Sequence, residues 1–204
     1  MAEPQTSRSV ELSSQERLLA AAKRLFSGRG YENTSTAMIA REALTSESQL
    51  VKHFGGKEGL LEAIFDDGWD RLSAQFPAID AIPNNRQKLG MILELFLRAF
   101  EQDPLLKELM LLESRRMRKA SPDVMLTRGY QGFLARIDAI LQDMSKQGEL
   151  KPGLTPVAVR SAVIGMMEGM LREQLLFQRH QGSEPLDREM IRKVFTLIFG
   201  ALLT

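Results

Sequence analysis

Every persuasive apolar pattern in this 204-residue chain repeats at helical spacing, and none alternates as a half-buried strand would. That regularity restricts the chain to an all-α fold. Ser13 and Glu16 have the spacing of a capping box, opening a first helix whose stripe is Leu18, Leu19, Ala22, Leu25 and Phe26 and whose end is Gly28 or Gly30. A second helix, barely two turns long, starts at Thr34 or Ser35 with Ile39, Ala40 and Ala43 on one face, and Ser46 caps a third, with Gln49 three residues on. A fourth runs from Lys57 through Leu60, Leu61, Ile64, Phe65, Trp69 and Leu72 and is spent before Pro77. Beyond Pro83 and Asn84 come longer amphipathic segments, the last two opened by Thr155 with Pro156 and by Pro185 to Asp187. Roughly nine helices are expected from these start and stop signals.

Composition narrows what such a chain does. At 44% hydrophobic it buries a sizeable core. It has no cysteine, which removes disulfides, thiolate catalysis and Cys-ligated metals, and only His53 and His180 supply imidazole. Adjacent Asp66 and Asp67 point in different directions on a helix and make a poor acid–base pair, so neither an enzyme nor a cofactor is expected. The net charge of +1 requires any nucleic-acid binding to come from a local cluster of basic groups. The first dozen residues are polar and predict a disordered tail, while the most apolar stretch, Val157 to Leu171, contains Arg160 and Glu168 and is no membrane span. A cytoplasmic location is expected.

The stretch "TSESQLVKHFGGKEGLLEAIF", residues 45 to 65, is the most specific part of the chain. Short helices at about 35–42 and 46–54 separated by a tight turn have the shape of a helix-turn-helix, whose second helix lies in the DNA major groove. Leu50 and Phe54, four apart, share the face that packs on Ile39 and Ala43 and leave the opposite face free to read DNA. Residues 17 to 65 resemble the N-terminal DNA-binding domain of the tetracycline-repressor (TetR/AcrR) family. The resemblance rests on "AAKRLFSGRGY" with Phe26, Gly30 and Tyr31, on Thr34, on "IAREA" at 39–43, on Ser46 and Leu50, and on "HFGGKEGLL". It implies that Ser46, Glu47, Ser48 and Gln49 face the groove, that Lys52, His53 and Lys57 meet phosphates, and that Thr34 and Ser35 bond phosphate from the second helix. Two positions depart from the family. Leu44 stands where glycine is common, and a left-handed backbone there costs a non-glycine residue about 1–2 kcal/mol, so a reshaped turn is expected. Val51 stands where tyrosine is common and cannot hydrogen-bond to phosphate.

From about residue 85 the helices have more apolar surface than a small DNA module needs. In the penultimate helix Val159, Val163, Met166 and Met170 make one stripe and Ile164, Met167, Leu171 and Leu175 another; the last combines Met190, Val194 and Leu197 with Ile191, Phe195, Ile198 and Leu202. Helices apolar on two sides are buried on two sides, one against their own core and the other against a second copy, which predicts a homodimer through a four-helix interface. Such a dimer places two recognition helices roughly 34 Å apart for a palindromic operator. Phe96, Met110, Tyr130, Phe133, Met166 and Met170 are candidate linings of a pocket for a largely apolar small-molecule effector. Glu113 is a candidate inward carboxylate for a cationic group, or a partner of Arg136 or Arg172. The expected organisation is a tail over 1–12, a helix-turn-helix domain over 13–56, a connecting helix over 57–80 and a ligand-binding and dimerisation domain over 81–204. Together these predict a ligand-responsive dimeric DNA-binding regulator, a repressor. The competing reading is a dimeric small-molecule-binding or protein-interaction module with a degenerate DNA head, resting on Leu44 and Val51.

Overall fold

The computed structural model describes residues 12–113, 127–179 and 186–204, with only the backbone at 112, 113, 178 and 179. Among these the chain forms ten helices: α1 (Ser14–Arg29), α2 (Thr36–Glu42), α3 (Glu47–Phe54), α4 (Lys57–Ser73), α5 (Phe76–Asp80), α6 (Asn85–Gln102), α7 (Pro104–Glu113), α8 (Arg128–Lys146), α9 (Pro156–Arg179) and α10 (Arg188–Ala201). No strand occurs among the described residues; Leu150 and Leu203 make an isolated antiparallel bridge. The helix absent from the sequence reading is α5. Pro77 reads there as a stop, but it occupies the first turn of α5, where its missing N–H would have had no intrahelical acceptor.

The chain divides into two compact units, Met1–Ile64 and Phe65–Thr204, and the boundary falls inside α4. In the first unit the capping box of α1 is complete: Ser13 N–H donates to Glu16 Oε2 at 2.7 Å and Glu16 N–H to Ser13 Oγ at 3.2 Å. The hydrogen bond from the Ser13 backbone, followed by that from its hydroxyl, holds the Glu16 carboxyl below its usual value. Leu18, Ala21, Ala22, Phe26, Ile39, Ala40, Ala43 and Leu50 form the core, with Leu60, Leu61 and Ile64 from α4. Arg17 reaches from α1 to the end of α2, where its Nε donates to the Ala43 carbonyl at 3.0 Å and satisfies a helix-terminal acceptor.

The second unit packs α6, α8, α9 and α10 around Leu89, Ile92, Phe96, Ile137, Leu141, Val159, Val163, Ile191 and Phe195. On α10 the burial divides cleanly: Ile191, Phe195 and Phe199 are inside, whereas Met190, Leu197 and Ile198 are exposed. Polar contacts pin the helices in register. Asn85 Nδ2 donates to Asp143 at 2.7 Å, joining α6 to α8, and Arg136 of α8 pairs with Asp80 of α5. Glu94 of α6 receives Arg192 Nε at 2.5 Å and Arg188 at 2.6 Å, both from α10. The hydrogen bond from Arg192 lowers the Glu94 carboxyl most; burial opposes it, Arg188 adds to it, and the result is a value of about 2 against the usual 4.5.

Because the folded carboxyl lies below its unfolded value, the contribution of this cluster is complete above pH about 4.5 and is lost as pH falls through about 2. Glu94→Gln is expected to lower unfolding stability by about 2 kcal/mol at neutral pH, after allowance for the solvent reaching the arginines. Urea unfolding measured from pH 7 downward should show the gap between variant and parent closing over that interval.

Candidate functional site

With seven and eight residues, α2 and α3 are too short to persist alone, so their ends and one buried face must hold them. Ser35 Oγ caps α2 by accepting from Met38 N–H at 3.2 Å, and Ser46 Oγ caps α3 by accepting from Gln49 N–H at 3.3 Å. Leu50 is 0% exposed and anchors the back of α3. Gly55 ends the helix in the left-handed conformation at φ 72°, its N–H bonded to the Val51 carbonyl at 2.8 Å. A Cβ on Gly59 would lie 1.9 Å from the Phe54 carbonyl oxygen, so only glycine lets α4 begin against the end of α3.

The turn between α2 and α3 is not reshaped, contrary to the expectation for Leu44. Leu44 takes φ 52°, the left-handed backbone that a glycine would supply, and leaves its side chain 85% exposed. Thr45 N–H closes the turn onto the Ala40 carbonyl at 2.9 Å. The strain is accepted because the hydrogen-bonded ends of two helices determine this backbone, and the side chain meets no core there.

Around this frame the proposed DNA-facing residues separate. Ser46, Glu47, Ser48, Lys52 and His53 are exposed and Gln49 is half-buried. Ser46 and Ser48 hydroxyls lie 2.8 Å apart. The Glu47 carboxylate accepts from Thr36 Oγ1 at 2.6 Å, bracing α2 to α3. Thr36 is a positioning residue that sequence reasoning passed over. His53 Nε2 is 3.3 Å from Ser14 Oγ at the start of α1. Among the described residues the Gln49 side chain does not return a bond to the Ser46 backbone, unlike Glu16 in α1, so α3 has half a capping box and an uncommitted amide. Val51 is exposed beside it.

Thr34 requires correction. It is 1% exposed, and its hydroxyl donates to the Gly30 carbonyl at 2.9 Å, closing the loop after α1; it is not available to phosphate. Ser35, whose oxygen accepts the capping bond, keeps its own proton at the exposed entry to α2. Lys57 is half-buried: Nζ donates to the Tyr31 carbonyl at 2.9 Å and lies 4.1 Å from that ring's centroid. It therefore ties α4 to the loop after α1 with one of its three donors.

In the second unit an apolar cavity of about 100 Å³ is lined by Trp69, Phe96, Met110, Tyr130, Phe133 and Phe195, and by Val163, Ile164, Met167, Glu168 and Leu171 of α9. Trp69 stacks on Phe133 at 5.4 Å and meets Phe96 and Tyr130 at 5.9 and 5.6 Å. Of the candidate lining residues, Phe96, Met110, Tyr130 and Phe133 line this cavity. Met166 and Met170 do not line the cavity; Met167 does, because one residue's step along a helix turns the side chain by about 100°. The carboxylate at this wall is Glu168, whereas the side chain of Glu113 and His180 lie outside the described residues. Arg136, considered as a Glu113 partner, is paired with Asp80. A charge interrupting an otherwise apolar stripe was the signal that could have marked Glu168. Among the described residues there is no cluster able to hold a metal ion and no helix long and apolar enough to cross a membrane.

The capped, anchored helix pair with its polar outer face has the geometry of a helix-turn-helix, and the other unit encloses an aromatic cavity. Residues 18–64 match the family described as bacterial regulatory proteins, tetR family. The HTH-type transcriptional regulator UidR of Escherichia coli is 26% identical over 158 residues, covering 77% of this chain and 79% of UidR. A tetR family transcription regulator from Shewanella superposes with a TM-score of 0.73 at 22% identity, over 94% of this chain and 98% of the other. FadR of Bacillus subtilis, solved in complex with stearoyl-CoA, gives 0.74 at 17% identity over 92% and 97%. The match over residues 18–64 and these relatives support a TetR-type transcriptional regulator.

Leu44→Gly is expected to stabilise the protein by about 1 kcal/mol through relief of the left-handed strain, measured as a higher urea midpoint at unchanged slope. No gain would mean that the turn does not hold this backbone in solution.

Proposed function

We propose that the chain is a ligand-responsive repressor that binds a palindromic operator as a homodimer. The observation that carries this reading is α3 itself: a helix anchored by a fully buried Leu50 whose Ser46, Glu47, Ser48, Lys52 and His53 are all exposed. Gln49, with an uncommitted amide near the helix start, is suited to read a base edge, and Lys52, with Ser35 from α2, to hold phosphate. Glu47 is better suited to bracing Thr36, since a carboxylate gains nothing from a phosphate neighbour.

Pairing of two copies is supported by the apolar side chains left in solvent on the last two helices: Val157 and Leu176 on α9, and Met190, Leu197 and Ile198 on α10. Exposed apolar residues concentrated on two adjacent helices favour a subunit interface over a free surface. The aromatic cavity supports a largely apolar effector, and the stearoyl-CoA held by B. subtilis FadR favours one with an acyl chain. Trp69, at the cavity wall, belongs to α4, the helix through which the chain passes from one unit to the next. An effector that favours one placement of Trp69 thereby biases α4, provided it binds the two states unequally. A degenerate DNA head is the competing reading, favoured by the exposed Val51 alone, since Leu44 keeps the turn.

Selection of bound fragments from the source genome tests the reading. Gln49→Ala is expected to change which bases are preferred, while Lys52→Ala weakens all sites alike and lowers the salt slope by about one. A parental salt slope near zero would instead favour the degenerate head. Leu197→Glu is expected to yield monomers in analytical ultracentrifugation and to lose tight operator binding; a variant that remains dimeric and binds normally would remove this face from the interface.

A further inference from the structure

A second cavity, of about 410 Å³, lies among α6, α7, α9 and the start of α10, and it shares Phe100 and Leu171 with the aromatic cavity. Its polar lining is Glu101, Lys107, Gln174 and Arg188. Lys107 is the anomaly. It is 6% exposed, and its one hydrogen bond among the described residues is a long one, 3.4 Å to Gln174 Oε1. Gln174 is itself held in place, its Nε2 donating to the Leu186 carbonyl at 2.7 Å, which leaves the amide oxygen for the ammonium. Burial pushes the Lys107 pKa down, with the charge of Glu108 acting weakly against it. A lysine this deep normally faces a carboxylate.

Arg188 adds a second unfilled donor at the same cavity. Its two terminal nitrogens serve Glu101 at 2.9 Å and Glu94 at 2.6 Å, which accounts for the charge of Glu101, but its Nε is buried without an acceptor. Among the described residues the cavity therefore offers an ammonium held only by the long bond to Gln174 and a guanidinium N–H without an acceptor, while its one carboxylate, Glu101, is already paired with Arg188. At the far side of the shared wall Glu168 lines the aromatic cavity, where its carboxylate would repel an anion.

We propose that the cavity at Lys107 and Arg188 receives the anionic head of the effector, a carboxylate or a phosphate ester, while its hydrocarbon tail passes Phe100 and Leu171 into the aromatic cavity. This rests on the reading of the aromatic cavity as the effector pocket and adds the chemical class and direction of the ligand. The tail supplies apolar burial, and the head supplies charge-assisted hydrogen bonds that an alcohol of equal length cannot match. Glu168 at one end and Lys107 at the other set the orientation.

Trp69 is the single tryptophan of the chain and lies at the tail end, so its fluorescence reports occupancy directly. The full-length protein is titrated with dodecanoate, dodecyl phosphate and dodecanol, and the titrations are repeated with Lys107→Met and Lys107→Arg. At least one anion is expected to bind about tenfold or more tightly than dodecanol, and which anion prevails identifies the head. Lys107→Met removes that advantage while dodecanol affinity stays within about twofold, and Lys107→Arg retains part of it. Equal affinity for all three probes in the parent, or no response to any, overturns the proposal without recourse to a variant. So does Lys107→Met weakening anion and alcohol alike, which would assign Lys107 a packing role. Operator binding is measured separately: lost head selectivity with intact DNA binding defeats this inference alone, and lost DNA binding with intact selectivity defeats the regulator reading alone.

Discussion

An eight-residue helix closes too few backbone hydrogen bonds to survive in water, so the shape of α3 is imposed from outside it. Leu50 is driven into the core of the first unit, Ser46 and Gly55 satisfy the two ends, and Glu47 is tied to Thr36 on α2. Gly59 lets the next helix start against the last carbonyl of α3. With four sides of the problem settled by neighbours, the remaining face is free to carry polar groups that contribute nothing to folding. The left-handed Leu44 belongs to the same economy, since strain at one exposed residue is tolerated where both flanking helices determine the path.

The second unit is held together differently. Its helices are long enough to be stable elements once packed, and their relative placement depends on interlocking aromatic side chains and on ion pairs such as Glu94 with Arg188 and Arg192. Arg188 pairs with Glu94 and Glu101 and also lines the second cavity. Two cavities meeting at Phe100 and Leu171, one apolar and one cationic, suit an amphipathic molecule better than a purely apolar one. The division of α10 into a buried face and an exposed apolar face follows from a helix with more apolar surface than one core can cover.

Much of this was legible in the residues alone. Ser13 with Glu16, Ser46 and Leu50 announce two helix starts and one anchor by type and spacing, and the structure places them in those roles. The misreadings share a cause. Pro77 carries the same local signal whether it stops one helix or opens another. Thr34 reads equally well as a phosphate ligand or as an internal donor, and its burial decided for the latter. Met166 and Met167 are both apolar and adjacent, so choosing the pocket-facing one requires the rotation of α9 about its axis. Lys107, between Leu106 and Glu108, carries no local mark of burial; its depth comes from the packing of α7 against α9 and α10.

Local chemistry therefore settled the all-helical class, the short third helix and the likeness of the first domain to the tetR family, because caps, glycines and 3.6-residue periodicity act within a few residues of one another. Folding in three dimensions decided which hydroxyls are already bonded, which side of α9 faces a cavity and which cation is buried. Those outcomes depend on groups far apart in the chain, such as Lys107 and Gln174 or Glu94 and Arg192, and no local pattern encodes the depth at which they meet.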